Sequence, residues 1–503
     1  MAGRRHAPGV GAGSYAWAAR PRHLPPHAMP TVGTADHPLR VAIVGAGPAG
    51  FYAADALLKQ DALVVEVDLL DRLPTPFGLV RSGVAPDHQK IKNVTRVFEK
   101  VAEHPRFRFF GNVCYGEHLG LDDLRRHYHQ VLFTTGAETD RRLGIPGEDL
   151  AGSHSATEFV WWYNGHPGYC DSCFDLSAER VAIVGVGNVA VDVARILCRT
   201  PEELATTDIA DYALEALRES RVREVVLLGR RGPAQAAFTA PEVKELGEMP
   251  GADVYVQPDE AELDPISREE MEAGGDRPTA KKVEIVQEYA RRAPTGKPRR
   301  LVIRFLVSPT ELVDDGTGRV GALRLVRNRL VRGDDGRVRP QPTGETEELP
   351  VGLVFRSVGY QGVPLPGLPF HDRWGVVPNE GGRVTGEDGR PLAGLYVAGW
   401  IKRGPSGVIG TNKPDAQETV EHMLADAAEG RLFEAEAATA EAAERRIREA
   451  QPHVVTFDDW RHLDAVETAA GAPHGRPRVK LTRVEDMLAA IRERRGAEQD
   501  VAG

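Results

Sequence analysis

At 503 residues the chain is too long for one ordinary core, so two domains or more are expected. It is 41% hydrophobic and 27% charged, and no run of 18 apolar residues exists, which excludes a membrane-spanning helix. The net charge of −10 argues against general nucleic-acid binding. The four cysteines, Cys114, Cys170, Cys173 and Cys198, are too few for a disulfide scaffold and point to a reducing compartment, the cytoplasm.

Residues 1–38 read as a leader, rich in Gly, Ala, Pro and Arg, whose first acidic residue is Asp36. With no continuous apolar run it is not a secretory signal. Its basic, acid-poor composition is also that of an organelle transit peptide; the plainer reading is a disordered leader, or a true start at Met29.

Val41-Ala42-Ile43-Val44 is a buried-strand run. Gly45-Ala46-Gly47-Pro48-Ala49-Gly50 follows at once, and Phe51 to Lys59 has helical composition. Strand, G-x-G-x-x-G and helix together form a dinucleotide-binding pattern. Gly45 allows the tight turn, Gly47 the approach of a pyrophosphate, and Gly50 close packing of helix on strand. The next strand, Leu63 to Leu70, ends at Asp71, where a carboxylate takes a ribose hydroxyl. Pro74 to His88 follows as an ordered Pro/Gly loop ending in a histidine able to handle protons. Gln89 to Glu103 reads as one helix, basic on one side through Lys90, Lys92, Arg96 and Lys100. Further strands are expected at Phe107 to Tyr115 and Val131 to Thr135, and Gly144 to Gly152 reads as a domain hinge.

A second dinucleotide unit starts at Val181-Ala182-Ile183-Val184, with the loop Gly185-Val186-Gly187-Asn188-Val189-Ala190. Its partner strand, Val225 to Leu228, ends in Gly229-Arg230-Arg231-Gly232 instead of an acid. Two guanidiniums there favour a 2′-phosphate through bidentate contacts, so this nucleotide should be NADP. Residues 200–220 read as a helical insertion, and a helix opens near Thr239. Strands are expected at Leu301 to Val307 and Ala322 to Val326, and Leu353 to Tyr360 reads as an apolar strand making the return crossing into the first domain.

Gly399 to Pro414 carries four glycines in twelve residues between a short apolar strand, Leu395 to Ala398, and a helix from Asp415 to Glu429. Asn412 is expected to cap that helix and Pro414 to occupy its first turn. The glycines let backbone approach a flat ring closely, and the helix N-terminus presents partial positive charge to it. This distant seat completes the first nucleotide site, which should therefore hold FAD. Residues 430–450 read as an exposed helix and Val484 to Arg494 as another. The expected architecture is α/β. Two Rossmann-like dinucleotide-binding domains are anticipated, an FAD domain from 39–139 and 359–503 and an NADP domain, 140–358, inserted in it.

Val41–Gly50, Pro74–His88, Gly185–Arg195, Arg230–Glu242 and Gly399–Asp415 together resemble the adrenodoxin-reductase-type NADPH–ferredoxin reductases, including the bacterial branch. The resemblance runs from about residue 40 onward. It implies FAD contacts at Ala49, Asp71, Leu79, Val113, Trp400 and Gly407, Val408 and Ile409. It implies NADP contacts at Gly187, Asn188, Val189, Arg230, Arg231, Glu242 and Gly407. His88 and Glu242 match positions that handle NADP(H) and protons beside the flavin, and no metal is implied. Where the family has Glu for the FAD ribose, this chain has Asp71. The implied reaction is hydride transfer from NADPH to flavin N5, then single electrons to a ferredoxin-type iron–sulfur protein. The enzyme is expected to be a monomer. Docking of an acidic partner needs a local basic face, for which Lys90, Lys92 and Arg96 with Arg218, Arg221 and Arg223 are candidates.

Cys170-Asp171-Ser172-Cys173 supports a different class. A C-x-x-C ahead of the second dinucleotide loop resembles low-molecular-weight thioredoxin reductases, which would make the chain a dithiol–disulfide reductase. Against it, the FAD site of those enzymes ends in Gly-Asp, and here it ends in Gly399-Trp400. A flavin-binding protein with no enzymatic role is the third reading, and two intact nucleotide loops speak against it.

Overall fold

The computed structural model describes residues 32–274 and 276–502. Most of the expected leader, residues 1–31 with Met29, lies outside the described residues. The fold begins before Leu39: Val32 packs on the first core, and the Gly33 carbonyl accepts from Val64 N–H at 2.8 Å.

Two parallel sheets organise the rest. The first has the order 379–380, 383–385, 391–397, 130–133, 39–44, 65–70, 107–110, parallel except for its outer hairpin. The second is wholly parallel, in the order 153–155, 353–356, 180–184, 224–228, 299–304, 252–256. Continuous apolar runs with buried faces on both sides, such as Val41 to Val44 in the strand 39–44, are what helix-covered parallel sheets require. The second sheet lies in sequence between two parts of the first, and the two crossings, Thr139–Asp140 and Tyr360–Gln361, pair antiparallel. Leu353–Arg356 is a strand as expected, but it lies inside the second sheet and does not itself make the return crossing; the chain turns back only after it. A third, antiparallel sheet of Val307–Asp314, Val320–Arg332 and Val338–Pro350 stands on the inserted domain.

The expected helix over Gln89 to Glu103 is two helices, Gln89–Lys92 and Thr95–Ala102. Between them Lys92 turns to bond Asp208 of the inserted domain, while Phe98 stacks on Phe51 with ring centroids 4.9 Å apart. The strand expected over Phe107 to Tyr115 stops at Phe110, because Asn112 takes a left-handed conformation. The 430–450 segment is helical only over Ala440–Ala450, and its Ala443 and Ile447 are buried against the first sheet's core rather than exposed.

Arg476, Lys480 and Arg483, late in the chain, tie the two domains. Arg476 donates to Thr207 O at 2.9 Å, Lys480 to Asn164 O at 2.9 Å and Arg81 O at 3.2 Å, and Arg483 pairs with Asp171. Lys480 and Lys92 both hold the buried Asp208 carboxylate.

Candidate active site

The first dinucleotide loop is built as its sequence requires. Gly45 has φ +111°, and a Cβ there would lie 2.7 Å from the Thr134 carbonyl oxygen, so only glycine fits the turn. A Cβ on Gly47 would meet nothing within 4 Å, which leaves an open approach to the N-terminus of helix Pro48–Lys59. That terminus has no side-chain cap and no acid in its first turn, so its N–H groups face outward. Asp71 stands at the loop and accepts from Ala46 N–H at 2.7 Å and Leu73 N–H at 2.9 Å. Burial raises it above the ordinary aspartate range, against those two N–H groups. Each of its oxygens keeps a second lone pair for a sugar hydroxyl.

Distant segments close this site. The Pro74–His88 loop approaches through Phe77 N–H, which donates to Ala46 O at 2.8 Å, and through Gly78, packed on Gly47. Phe77 holds φ +81°, a strained value for a bulky residue. Packing of its ring on Phe51 and Trp460, at 5.4 and 5.7 Å, keeps it there. Leu79 starts a one-turn helix beside this contact, and buried Val113 donates its N–H to Asp71 O at 2.8 Å. Gly399 packs against Ala49, and its N–H donates to Asp415 at 2.5 Å. Trp400 follows with its ring 5.2 Å from Tyr360, and Gly407, Val408 and Ile409 run toward the helix Asn412–Ala428. Gly404 and Gly410 face open space and Val408 is 55% exposed, so this seat has room for a flat ring. Asn412 is not the cap. The helix starts at that residue, and its side chain is engaged by Arg403 at 3.0 Å and Ile409 O at 3.1 Å.

The second loop repeats the first. Gly185 has φ +132°, and a Cβ there would collide with the Ser357 carbonyl. Gly187 is open, and Ala190 is buried under the loop. Asn188 accepts from Thr239 N–H at 3.0 Å, which fixes the start of helix Ala240–Leu246 next to Val189. Arg230 is exposed and Arg231 half-buried at the end of strand Glu224–Leu228. Burial, then repulsion from Arg230, lowers Arg231 below the ordinary guanidinium range, the state of two cations side by side.

Between the loops the two domains meet at His88. Its Nε2 lies 2.7 Å from Glu245 Oε2, 4.0 Å from Glu242, and its Nδ1 3.9 Å from Asp192. Behind them Arg195, fully buried, donates to Asp87 at 2.6 Å and to Asp192 at 2.6 Å. Its Nη1 faces Glu242 at 3.7 Å and Glu245 at 4.0 Å. Among the described residues, Arg195 Nη1 and Glu242 Oε2 are buried without a hydrogen-bond partner, so the cleft keeps polar capacity for a ligand. Burial, then Asp192, raises Glu242 above its ordinary value. Burial works against the Arg195 charge, yet Asp192 and Asp87 hold it above its ordinary value.

Sequence reasoning brought His88 and Glu242 here but missed Glu245, the carboxylate in contact with the imidazole, and the Asp192–Arg195 pair. Spacing of three on the helices Asn188–Cys198 and Ala240–Leu246 was the available signal, since it puts Asp192 with Arg195 and Glu242 with Glu245 on shared faces. His88, Glu242 and Glu245 also offer three ligand atoms within 4.8 Å of one another. The facing Arg195 guanidinium puts positive charge where a divalent cation would sit, so the arrangement suits proton handling better than metal binding. The anticipated docking face is smaller than expected, because Lys92 is spent on Asp208 at 2.7 and 2.8 Å. Cys170 and Cys173 are both free thiols. Burial raises the Cys170 thiol, which donates to Pro167 O at 3.2 Å, a poor state for a nucleophile.

Two dinucleotide loops facing one charged cleft are the plan of a pyridine-nucleotide oxidoreductase, and the family model for pyridine nucleotide-disulphide oxidoreductases matches residues 39–227. NADPH-ferredoxin reductase FprA of Mycobacterium tuberculosis is 50% identical over 461 residues, which cover 90% of this chain and 98% of the relative. The mitochondrial NADPH:adrenodoxin oxidoreductase of Arabidopsis thaliana is 44% identical over 464 residues, covering 90% and 95%. The solved structure of Mycobacterium tuberculosis FprA in complex with NADPH aligns with a TM-score of 0.84 at 50% identity, covering 90% of this chain and all of that one. The chain belongs to the NADPH–ferredoxin reductase family.

Proposed function

We propose that this chain is an FAD-dependent NADPH–ferredoxin oxidoreductase, which oxidises NADPH and delivers electrons one at a time to a ferredoxin-type iron–sulfur protein. The observation that carries this reading is the His88 cleft, where a residue from beside the first loop meets carboxylates from beside the second. Bound FAD supplies the exchange between a hydride pair and single electrons. Gly45, Gly47, Ala49, Gly50, Asp71, Leu79 and Val113 would hold it, with Trp400 and Gly407 to Ile409 at the ring. Gly185, Gly187, Asn188 and Val189 take the NADPH pyrophosphate, Arg230 and Arg231 its 2′-phosphate.

His88 would face the nicotinamide end, with Glu245 in hydrogen-bond contact at 2.7 Å and Glu242 at 4.0 Å to share a proton with it. Glu242, raised by burial, retains a proton further up the pH scale than an exposed glutamate does. The N-terminus of helix Asn412–Ala428 directs partial positive charge toward the seat and favours negative charge there. The division proposed is 39–139 and 359–503 around FAD and 140–358 around NADP. Four free thiols support a reducing compartment, and we assign the enzyme to the cytoplasm as a monomer. Among the described residues no helix is long and apolar enough to cross a membrane.

The test is anaerobic. The yellow holoprotein should bleach with NADPH much faster than with NADH and regain colour on mixing with an oxidised ferredoxin. A colourless preparation that takes up no flavin, or reduction that passes to a disulfide substrate and not to ferredoxin, overturns the reading. Gel filtration of the holoprotein at two concentrations checks the monomer.

A further inference from the structure

The outer antiparallel sheet lays Val307, Leu312, Val320, Leu323 and Leu325 on the second sheet, but its last strand puts no buried residue into that core. Its strand Val338–Pro350 is exposed or half-exposed at every position. A long, open edge strand is a liability that folds usually shorten or cover. Its neighbour Val320–Arg332 is rooted in the second nucleotide site: Asn328 Nδ2 donates to Arg230 O at 2.9 Å, and Leu306 N–H, just before the sheet, to Arg231 O at 3.2 Å. The turn between the two strands brings Arg337 and Arg339 to an open groove of about 690 Å³ whose other wall is Arg230 and Arg231. Glu270, also in the groove, is engaged by Arg332 at 3.1 Å, and Asp335 by Arg339 at 2.7 Å. Among the described residues Arg230 and Arg231 have no carboxylate partner, and the nearest to Arg337 is Asp335 at 3.9 Å.

We propose that this hairpin is part of the NADPH site: Arg337, with Arg339 beside it, forms the outer half of the 2′-phosphate pocket, opposite Arg230 and Arg231. The inference rests on the reading that Arg230 and Arg231 take that phosphate. A phosphate monoester carries nearly two negative charges at neutral pH and three terminal oxygens, whose outward lone pairs two guanidiniums on one wall leave open. The strand end can reach it from one side only. The hairpin supplies cations from the other, on long exposed arms that also draw the anion in from solution. This gives the sheet a role in selecting NADPH over NADH.

The experiment measures calorimetric binding of adenosine 2′,5′-bisphosphate and of 5′-AMP to the holoenzyme. It compares the natural chain with R337A/R339A, R337K/R339K and R230A/R231A. Arg337 and Arg339 are 83% and 60% exposed, so their replacement leaves the core intact. The hairpin alanine variant should bind the bisphosphate roughly three- to tenfold more weakly, bind 5′-AMP as before and show a shallower salt dependence. The lysine variant should recover most of the loss, and KM for NADPH should rise more than kcat falls. If R230A/R231A loses the bisphosphate while R337A/R339A binds it unchanged, the hairpin has no part and the arginine-pair reading stands. If R230A/R231A also binds it unchanged, that reading fails as well.

Discussion

The two dinucleotide folds share one backbone and differ in what stands at the end of the second strand. Gly45 and Gly185 both turn at positive φ, +111° and +132°, against a neighbouring carbonyl, and Gly47 and Gly187 are both open to the approach of a ligand. The first fold then offers Asp71, and the second Arg230 and Arg231. Backbone N–H groups recognise any pyrophosphate, so the cradle alone cannot choose between nucleotides. On the proposed assignment the choice passes to one carboxylate or two guanidiniums, and to the segments brought in from elsewhere. Gly78 and Gly399 press on the first loop, and Ala237 and Phe238 bond Val186 of the second.

The comparison breaks most readily at the arginines. Removing both in R230A/R231A takes away charge-assisted hydrogen bonds worth about 1.5–3 kcal/mol each, so kcat/KM for NADPH should fall roughly 10²- to 10⁴-fold while NADH use barely changes. An unchanged preference in steady-state kinetics would sink the assignment of the second fold.

Asp87 tests how the folds are joined, because its carboxylate holds Arg195 at 2.6 Å and Arg199 at 2.7 Å across the domain boundary. D87N leaves buried guanidiniums short of a counter-charge and should cost about 3–5 kcal/mol of stability at neutral pH. Burial opposes ionisation of Asp87, but Arg195 and Arg199 hold it far below its ordinary value of 3.8. Its contribution is therefore full above that value and is lost as pH falls below it toward the folded-state value. Chemical denaturation from pH 5 down to pH 2 should show the natural chain losing stability below about pH 4, and D87N losing less over the same range.

The glycines separate turn from approach. Gly45→Ala forces a left-handed residue against the Thr134 carbonyl and should lose about 1–3 kcal/mol or fail to fold. Gly47→Ala has room for its Cβ, so its melting temperature without flavin should match the natural chain while flavin retention on gel filtration drops. Equal melting losses in both variants would contradict the division of roles.

The smallest effect is expected at Asp71. D71N removes the charge but keeps one acceptor, and flavin affinity by fluorescence titration should weaken by about tenfold, near 1.4 kcal/mol. A loss as large as that of the arginine pair would mean that the two loop N–H bonds of the Asp71 carboxylate, to Ala46 and Leu73, matter more for flavin than the sugar contact does.

Short-range chemistry was legible in the amino-acid sequence. The two glycine loops, the acid at Asp71, the arginine pair and the Thr239 start of a helix each depend on neighbours a few residues away, where turn geometry and capping decide. Asn412 shows the limit even at short range, since a capping residue was diverted by Arg403, brought in by the preceding turn. Only tertiary structure brought Glu245 against His88, 157 residues apart, set Arg195 behind both, and withdrew Lys92 from the surface onto Asp208. It also carried Arg337 of the hairpin turn and Arg339 of the strand after it to the Arg230 groove. Contacts of that kind depend on how two separately wound sheets settle against each other, and a single chain read residue by residue has no local signal for that orientation.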